Sequence, residues 1–322
     1  MKNQPMKNIL LKNILLKNIL SILILFVIFS LSNNETISNP IKSIELPTKA
    51  TIMFIKDIDD KLYIGTRVKL HIYTSKTNKW ENIEFPDKKY PTCIASNDKL
   101  IVIGTNKGIM ISETIEGENK NQFSGVETDF SNTMVNDIFA DKSGVYFATN
   151  EGVFHSDPNI DSLENITTTM KVKSIESVTK LNDRIIVGSS DGIFDTSLDI
   201  LKWRIFKLYM RDVKSTFVND TSFYVSSLKE FKMCNNYETE LRDIVFEKPL
   251  GEVFKVSAKG NNVIALARGG VHISNDNGKT WKSIPMDEKS FKAGLVSDKF
   301  YFGSFKGNLY YIDFADFGLI GK

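Results

Sequence analysis

The sequence predicts an all-β fold: a seven-bladed β-propeller of four-stranded antiparallel blades. Three observations carry that expectation. A short apolar run ending in a small residue occurs seven times. The small residues stand 39, 44, 40, 38, 41 and 36 positions apart, close to the length of four short strands with their turns. All three tryptophans fall at one position of the repeat.

The runs are Leu62–Gly65, Ile101–Gly104, Val145–Ala148, Ile185–Gly188, Phe223–Ser226, Ile264–Ala267 and Phe300–Gly303. Each is read as the second strand of a blade. Hairpin-turn residues precede it: Asp59-Asp60, Asn97-Asp98, Asp141-Lys142, Asn182-Asp183, Asn219-Asp220, Gly260-Asn261 and Ser297-Asp298. A first strand lies ahead of each turn, as in Thr92–Ala95. A third strand follows, led by Gly108, Gly152, Gly192, Gly270 or Gly307, with Lys69 and Glu230 at that position in the other copies. Fourth strands are expected at 80–86, 123–130, 163–170, 203–210, 241–246 and 281–286. The seventh unit runs out of chain after its third strand. Residues 41–47, IKSIELP, resemble 81–86, ENIEFP, and are expected to supply the missing edge. An N-terminal strand joining the C-terminal blade would close the ring and cover an open sheet edge.

One turn is spelled out in full. Ser274, Asp276, Gly278, Thr280 and Trp281 fit the pattern Ser-x-Asp-x-Gly-x-Thr-Trp. An Asp carboxylate can accept local N–H bonds, and Gly takes positive φ without a Cβ clash. The octapeptide resembles the Asp-box (BNR) repeat of sialidase-like β-propellers. The resemblance implies a structural turn between third and fourth strands, and extends over residues 41–322. Ser274 corresponds to Tyr73, Ser112, Ser156, Thr196 and Cys234; Trp281 corresponds to Trp80, Leu163, Trp203 and Leu241. The second unit carries an insertion, 113–122, that breaks this frame.

The chain divides into a leader, 1–32, a polar linker, 33–40, and the propeller, 41–322. Lys2, Lys7, Lys12 and Lys17 precede the apolar run Ile19–Leu31, the length of a signal-peptide core and short for a spanning helix. A cleaved signal peptide or an uncleaved signal anchor both fit, and both place the propeller outside the cytoplasm, secreted or periplasmic. Membrane contact is expected only through such an anchor. Without the leader's four lysines, 37 basic residues face 39 acidic ones, which argues against bulk nucleic-acid binding. Cys93 and Cys234 fall in different units and are expected as free, partly buried thiols.

No catalytic constellation is legible. Sialidases hold the substrate carboxylate with three arginines and use a Tyr–Glu pair. Of the six arginines here, only Arg67, Arg211 and Arg268 are expected on one face. His71 and His272 share the repeat position of Met110, Phe154 and Phe194, with His155 one residue on, so packed strand positions are expected. No metal, cofactor or enzymatic activity is predicted. The chain also resembles two non-catalytic groups: the photosystem II stability/assembly factor-like propellers, which bind protein, and the two-component regulator propeller repeat, seen in Tyr63–Thr66 and Ile103–Ile109.

The loops suggest where binding would occur. Second-to-third and fourth-to-first connections share one face, the top. Fourteen basic residues against nine acidic ones are assigned to it, including Lys171, Lys173, Lys214, Lys248 and Lys289. The opposite hairpins carry Asp59, Asp60, Asp98, Asp141, Asp183, Asp220 and Asp298. Nearest the axis on the top stand Arg67, Lys107, Lys229, Arg268 and Lys306, the candidate partner-binding face. An exported, monomeric, non-enzymatic module for a protein partner or anionic ligand is expected. The alternative is a degenerate sialidase-like glycan-binding or glycan-active protein.

Overall fold

A computed structural model describes residues 40–322, apart from 114–120, 169, 171, 173, 207–209, 220–221, 236–239, 245, 247–251, 289 and 321–322. The leader, most of the linker, Asp220, Lys171, Lys173, Lys248 and Lys289 therefore lie outside the described residues.

Seven four-stranded antiparallel sheets form the seven blades. The innermost strands are Ile52–Ile58, Pro91–Ser96, Val135–Asp141, Ile175–Leu181, Val213–Asn219, Val253–Lys259 and Phe291–Val296. Apolar clusters fill the interfaces between neighbouring blades, including that between blades seven and one.

The recurring small residue has a packing reason. A Cβ on Gly104 would meet Val135 at 2.8 Å, one on Gly188 would meet Val213 at 2.4 Å, and one on Gly303 would meet Ile52 at 2.6 Å. Val135, Val213 and Ile52 each open the first strand of the next blade. Blade six departs from the expected phase. Leu266, not Ala267, holds the small position, because it pairs with Lys255 as Gly104 pairs with Cys93. The next blade yields instead: a Cβ on Gly294 would meet Leu266 at 2.7 Å.

A hydroxyl turn follows the second strand of most blades. Thr66, Thr105, Thr149, Ser189 and Ser227 each donate to the carbonyl three residues on. In blade seven the turn is one residue longer, and Ser304 N bonds Asn308 O. Asn308, not Gly307, therefore leads that third strand.

The tryptophans recur because each packs toward the preceding blade. Trp203 Nε1 donates to Ile166 O at 2.7 Å, Trp281 joins the cluster between blades five and six, and Trp80 the one between seven and one. The outer strands are shorter than expected, from Lys79–Ile83 in blade one down to Arg204–Ile205, Arg242–Asp243 and Lys282–Ser283. Past these ladders, Phe206 and Ile284 turn inward and are buried.

The ring closes through residues 42–44. Lys42–Ile44 pairs antiparallel with Leu309–Asp313, with Ser43 opposite Tyr310. Lys42 Nζ lies 2.5 Å from Asp313 and 3.2 Å from Asp316. Leu46 is then buried among Ile52, Ile55 and Leu62 of blade one. Thr48 Oγ1 meets His71 Nε2 at 2.9 Å, and Thr51 Oγ1 donates to Phe305 O. One short segment thus ties the last blade to the first.

Candidate functional site

The octapeptide at 274–281 is a turn held by side chains. Asp276 Oδ1 accepts from Ser274 Oγ at 2.7 Å, Lys279 N at 3.0 Å and Thr280 N at 2.8 Å, while Oδ2 accepts from Thr280 Oγ1 at 2.5 Å. Asn277 and Gly278 take φ of 57° and 74°. Trp281 Nε1 donates to Gly278 O. Burial opposes ionisation of Asp276, but the bonds from Thr280 and Ser274 outweigh it and hold the carboxyl below its usual range. Asn277 docks the turn on blade five, accepting from Tyr224 Oη at 2.6 Å and donating to Ser222 Oγ at 2.8 Å. Every oxygen of Asp276 is committed to the turn, which leaves its chemistry structural.

The second-to-third turns and the connections entering each first strand lie together. Arg67 N bonds Thr51 O, Asn106 N bonds Tyr90 O, Arg268 N bonds Glu252 O and Phe305 N bonds Ser290 O. Arg67, Lys107, Lys229, Arg268 and Lys306 sit one or two residues past their second strands, all exposed. Lys107, Lys229 and Lys306 donate their backbone N–H to the turn hydroxyl, which directs their side chains outward. Arg268 Nη2 lies 3.1 Å from Glu252. The other four form no ion pair among the described residues. On the opposite edge Asp60 pairs with Lys76, Asp98 with Lys142 and Asp141 with Lys180.

The structure also assembles a site the loop reading did not foresee. A central channel of about 660 Å³ is lined by all seven innermost strands. Each of those strands skips a pairing at its second residue: Met53, Thr92, Asn136, Glu176, Lys214, Phe254 and Lys292. A bulge re-aims a side chain, and all seven of these residues line the channel. Lys214, expected in a loop, is one of them and lies 3.6 Å from Glu176. Deeper, Lys255 is 3.6 Å from Asp137, whose other oxygen accepts from Val178 N. Lys56 and Lys292 also line the channel, without a hydrogen bond or ion pair among the described residues. Lys56 is exposed to the channel space and Lys292 half-buried; the crowding wall, then Lys255, pushes the Lys56 ammonium below its ordinary range, and the wall, then Arg67, does the same to Lys292. One sequence signal does point here: a lysine next to apolar residues within a first strand, as in Phe54-Ile55-Lys56 and Phe291-Lys292-Ala293.

Other candidate groups are absorbed by the fold. Arg184 and Arg204 both grip the fully buried Asp195, through Nε at 2.5 and 2.9 Å. His71 is held by Thr48 and Asn82, His272 by Ser283, and His155 stacks on Tyr146 at 4.5 Å. Burial pushes His272 down to about 4. Cys93 and Cys234 are buried and outside any disulfide, and burial pushes the Cys93 thiol well up. Among the described residues, no three His, Cys, Asp or Glu side chains group as a metal site.

The described residues form a seven-bladed propeller with a charged central channel. No protein-family model matches the chain, and no curated protein matches its sequence. Solved structures match the fold. The extracellular domain of BT4673 from B. thetaiotaomicron, described as a hybrid two-component system, is 13% identical at a TM-score of 0.70, over 84% of this chain and 39% of that one. YCF48 from Cyanidioschyzon merolae is 14% identical at a TM-score of 0.64, over 85% of this chain and 98% of that one. PorZ, a surface component of the type-IX secretion system of Porphyromonas gingivalis, is 13% identical at 0.63, over 84% and 38%. The chain thus spans about two fifths of the BT4673 and PorZ chains it matches.

Proposed function

We propose that the chain is an extracytoplasmic, non-catalytic propeller that binds an acidic segment of a protein partner on its top face. The observation that carries this is a row of unpaired rim cations: Arg67, Lys107, Lys229 and Lys306 are exposed and form no ion pair among the described residues. Unpaired cations on one rim create a field that steers an anionic partner. The location rests on the leader and on likeness to structures described as extracellular domains. The structure of YCF48 bound to D1 peptide supports peptide binding as a use of this architecture. The test is affinity capture from the extracytoplasmic fraction with the unaltered chain and an Arg67→Glu/Lys229→Glu variant. A protein retained only by the unaltered chain, and released by salt, is expected. Equal retention by both rules out the rim.

Glycan binding is a second function with one observation in its favour. A groove of about 620 Å³ at the closure seam is lined by Tyr73, Trp80, Tyr301 and Tyr311, with Ser75 and Asn78 beside them. The half-buried Tyr73 and Trp80, with adjacent polar groups, suit contact with a sugar ring. Loss of glycan-array binding on Trp80→Ala, with the rim variant unaffected, would support it.

A further inference from the structure

The channel differs from the rim in what its walls leave unused. Its hydroxyls and amides largely serve contacts between blades. Thr92 Oγ1 donates to Val135 O, Asn136 Nδ2 to Ile175 O, and Thr216 Oγ1 to Ser177 Oγ. Ser257 Oγ accepts from Val296 N. The carboxylates are engaged too: Asp137 by Lys255 and Val178 N, Glu176 by Lys214, Glu252 by Arg268. Among the described residues five cations line the channel, Lys56, Lys214, Lys255, Arg268 and Lys292, against those three carboxylates. The surplus falls on Lys56 and Lys292, which form no hydrogen bond or ion pair among the described residues and feel Asp137 and Glu176 only at longer range.

These two stand on neighbouring strands. Lys56 is the fifth residue of the first strand of blade one, and Lys292 the second of blade seven. Three residues of rise, about 10 Å, separate their levels along the wall. Holding several ammonium groups in a confined space is unfavourable unless counter-charge enters. Water and mobile ions supply some of it, but an elongated anion could meet both levels at once, and each charge-assisted bond in such a place is strong.

We propose that the central channel is a binding site for an elongated polyanion, a polycarboxylate or a condensed phosphate, held by Lys56 and Lys292. Lys255 and Lys214, each already sharing a carboxylate, flank the anion and add to its field. The site opens at the rim, where Arg268 lines it and Arg67 acts on Lys292, but Lys107, Lys229 and Lys306 stand outside its lining: a polyanion of this size enters the channel, while a folded partner remains outside it.

Calorimetric titration of the full-length chain with citrate and with pyrophosphate, against sulfate at equal ionic strength, tests this. Saturable binding of one molecule of citrate or pyrophosphate per chain is expected, with sulfate at least tenfold weaker. Lys56→Gln and Lys292→Gln should each weaken that binding tenfold or more. Lys107→Gln/Lys306→Gln, on the rim, should leave it within twofold. Binding of citrate alone assigns the polycarboxylate class, and of pyrophosphate alone the condensed-phosphate class. No saturable binding of either overturns the proposal, as does binding lost in the rim variant but kept in both channel variants. Thermal melting of each variant separates a lost ligand contact from a lost fold. If neither glutamine variant folds, citrate and pyrophosphate must still raise the melting temperature of the unaltered chain more than sulfate does. Equal shifts overturn the proposal.

Discussion

Blades six and seven lie side by side and hold their outer strands by opposite means. In blade six the outer strand is only Lys282–Ser283, and the turn before it is built by Asp276. In blade seven the outer strand comes from the other end of the chain, with three ladder pairs and two ion pairs from Lys42. A two- or three-residue ladder is marginal by itself. Blade six therefore depends on local side-chain bonds, and blade seven on burial at the seam. The difference teaches that a propeller's weakest edge can be secured either by a turn or by closure, with different consequences when each is lost.

The largest effect should come from the seam. Deleting residues 41–47 removes Leu46 from its cluster, the pairing at 42–44 and the join between blades seven and one. A loss of at least about 4 kcal/mol is expected from the apolar burial and lost backbone bonds, measured by urea unfolding. A loss below about 1 kcal/mol would mean the ring holds without closure, and the contrast between the blades would fail.

Next comes a pH effect in blade six. His272 lies on the third strand and meets Ser283 of the outer strand at 2.9 Å. Its pKa is about 4 in the folded chain, from burial, against 6.5 ordinarily. Between those values the unfolded chain binds the proton and the folded chain does not. Stability from the neutral imidazole is thus complete above pH 6.5 and falls as pH drops toward 4. The loss should approach about 3 kcal/mol. His272→Phe, matching Phe154 and Phe194 at the same repeat position, should flatten that part of the profile. An unchanged slope would show that other groups set it.

The smallest of the three concerns the turn itself. Asp276→Ala strips four bonds from one loop and should cost about 2 kcal/mol, while Asp276→Asn should cost less because one oxygen remains. Equal melting temperatures for all three chains would assign blade six's stability to Trp281 packing rather than to the carboxylate.

Much of the repeat was legible because it rests on short-range rules. Second strands read as apolar runs because both faces are covered by neighbouring blades. Tryptophans at one phase mark one interface position. The slip at Leu266 was invisible because its compensation, Gly294, lies in the next unit and matters only through a cross-blade contact. The extra turn residue before Asn308 was hidden for a simpler reason, since Gly307 imitates the neighbouring copies. Of the candidate site, the rim cations were legible as turn residues. The channel charges were not, because a bulge at the second residue of every first strand breaks the strict alternation on which facing is inferred.

The sequence by itself determined the all-β class, seven blades of four strands, and closure by an N-terminal strand. Those follow from a period of about 40 residues, turn chemistry at fixed offsets and one edge left unfilled. The tertiary structure alone decided which charges share a space. Lys56 and Lys292 are 236 positions apart in the chain yet line one channel. Circular closure places blade one against blade seven, and no local rule relates residues that meet only when the ring is complete.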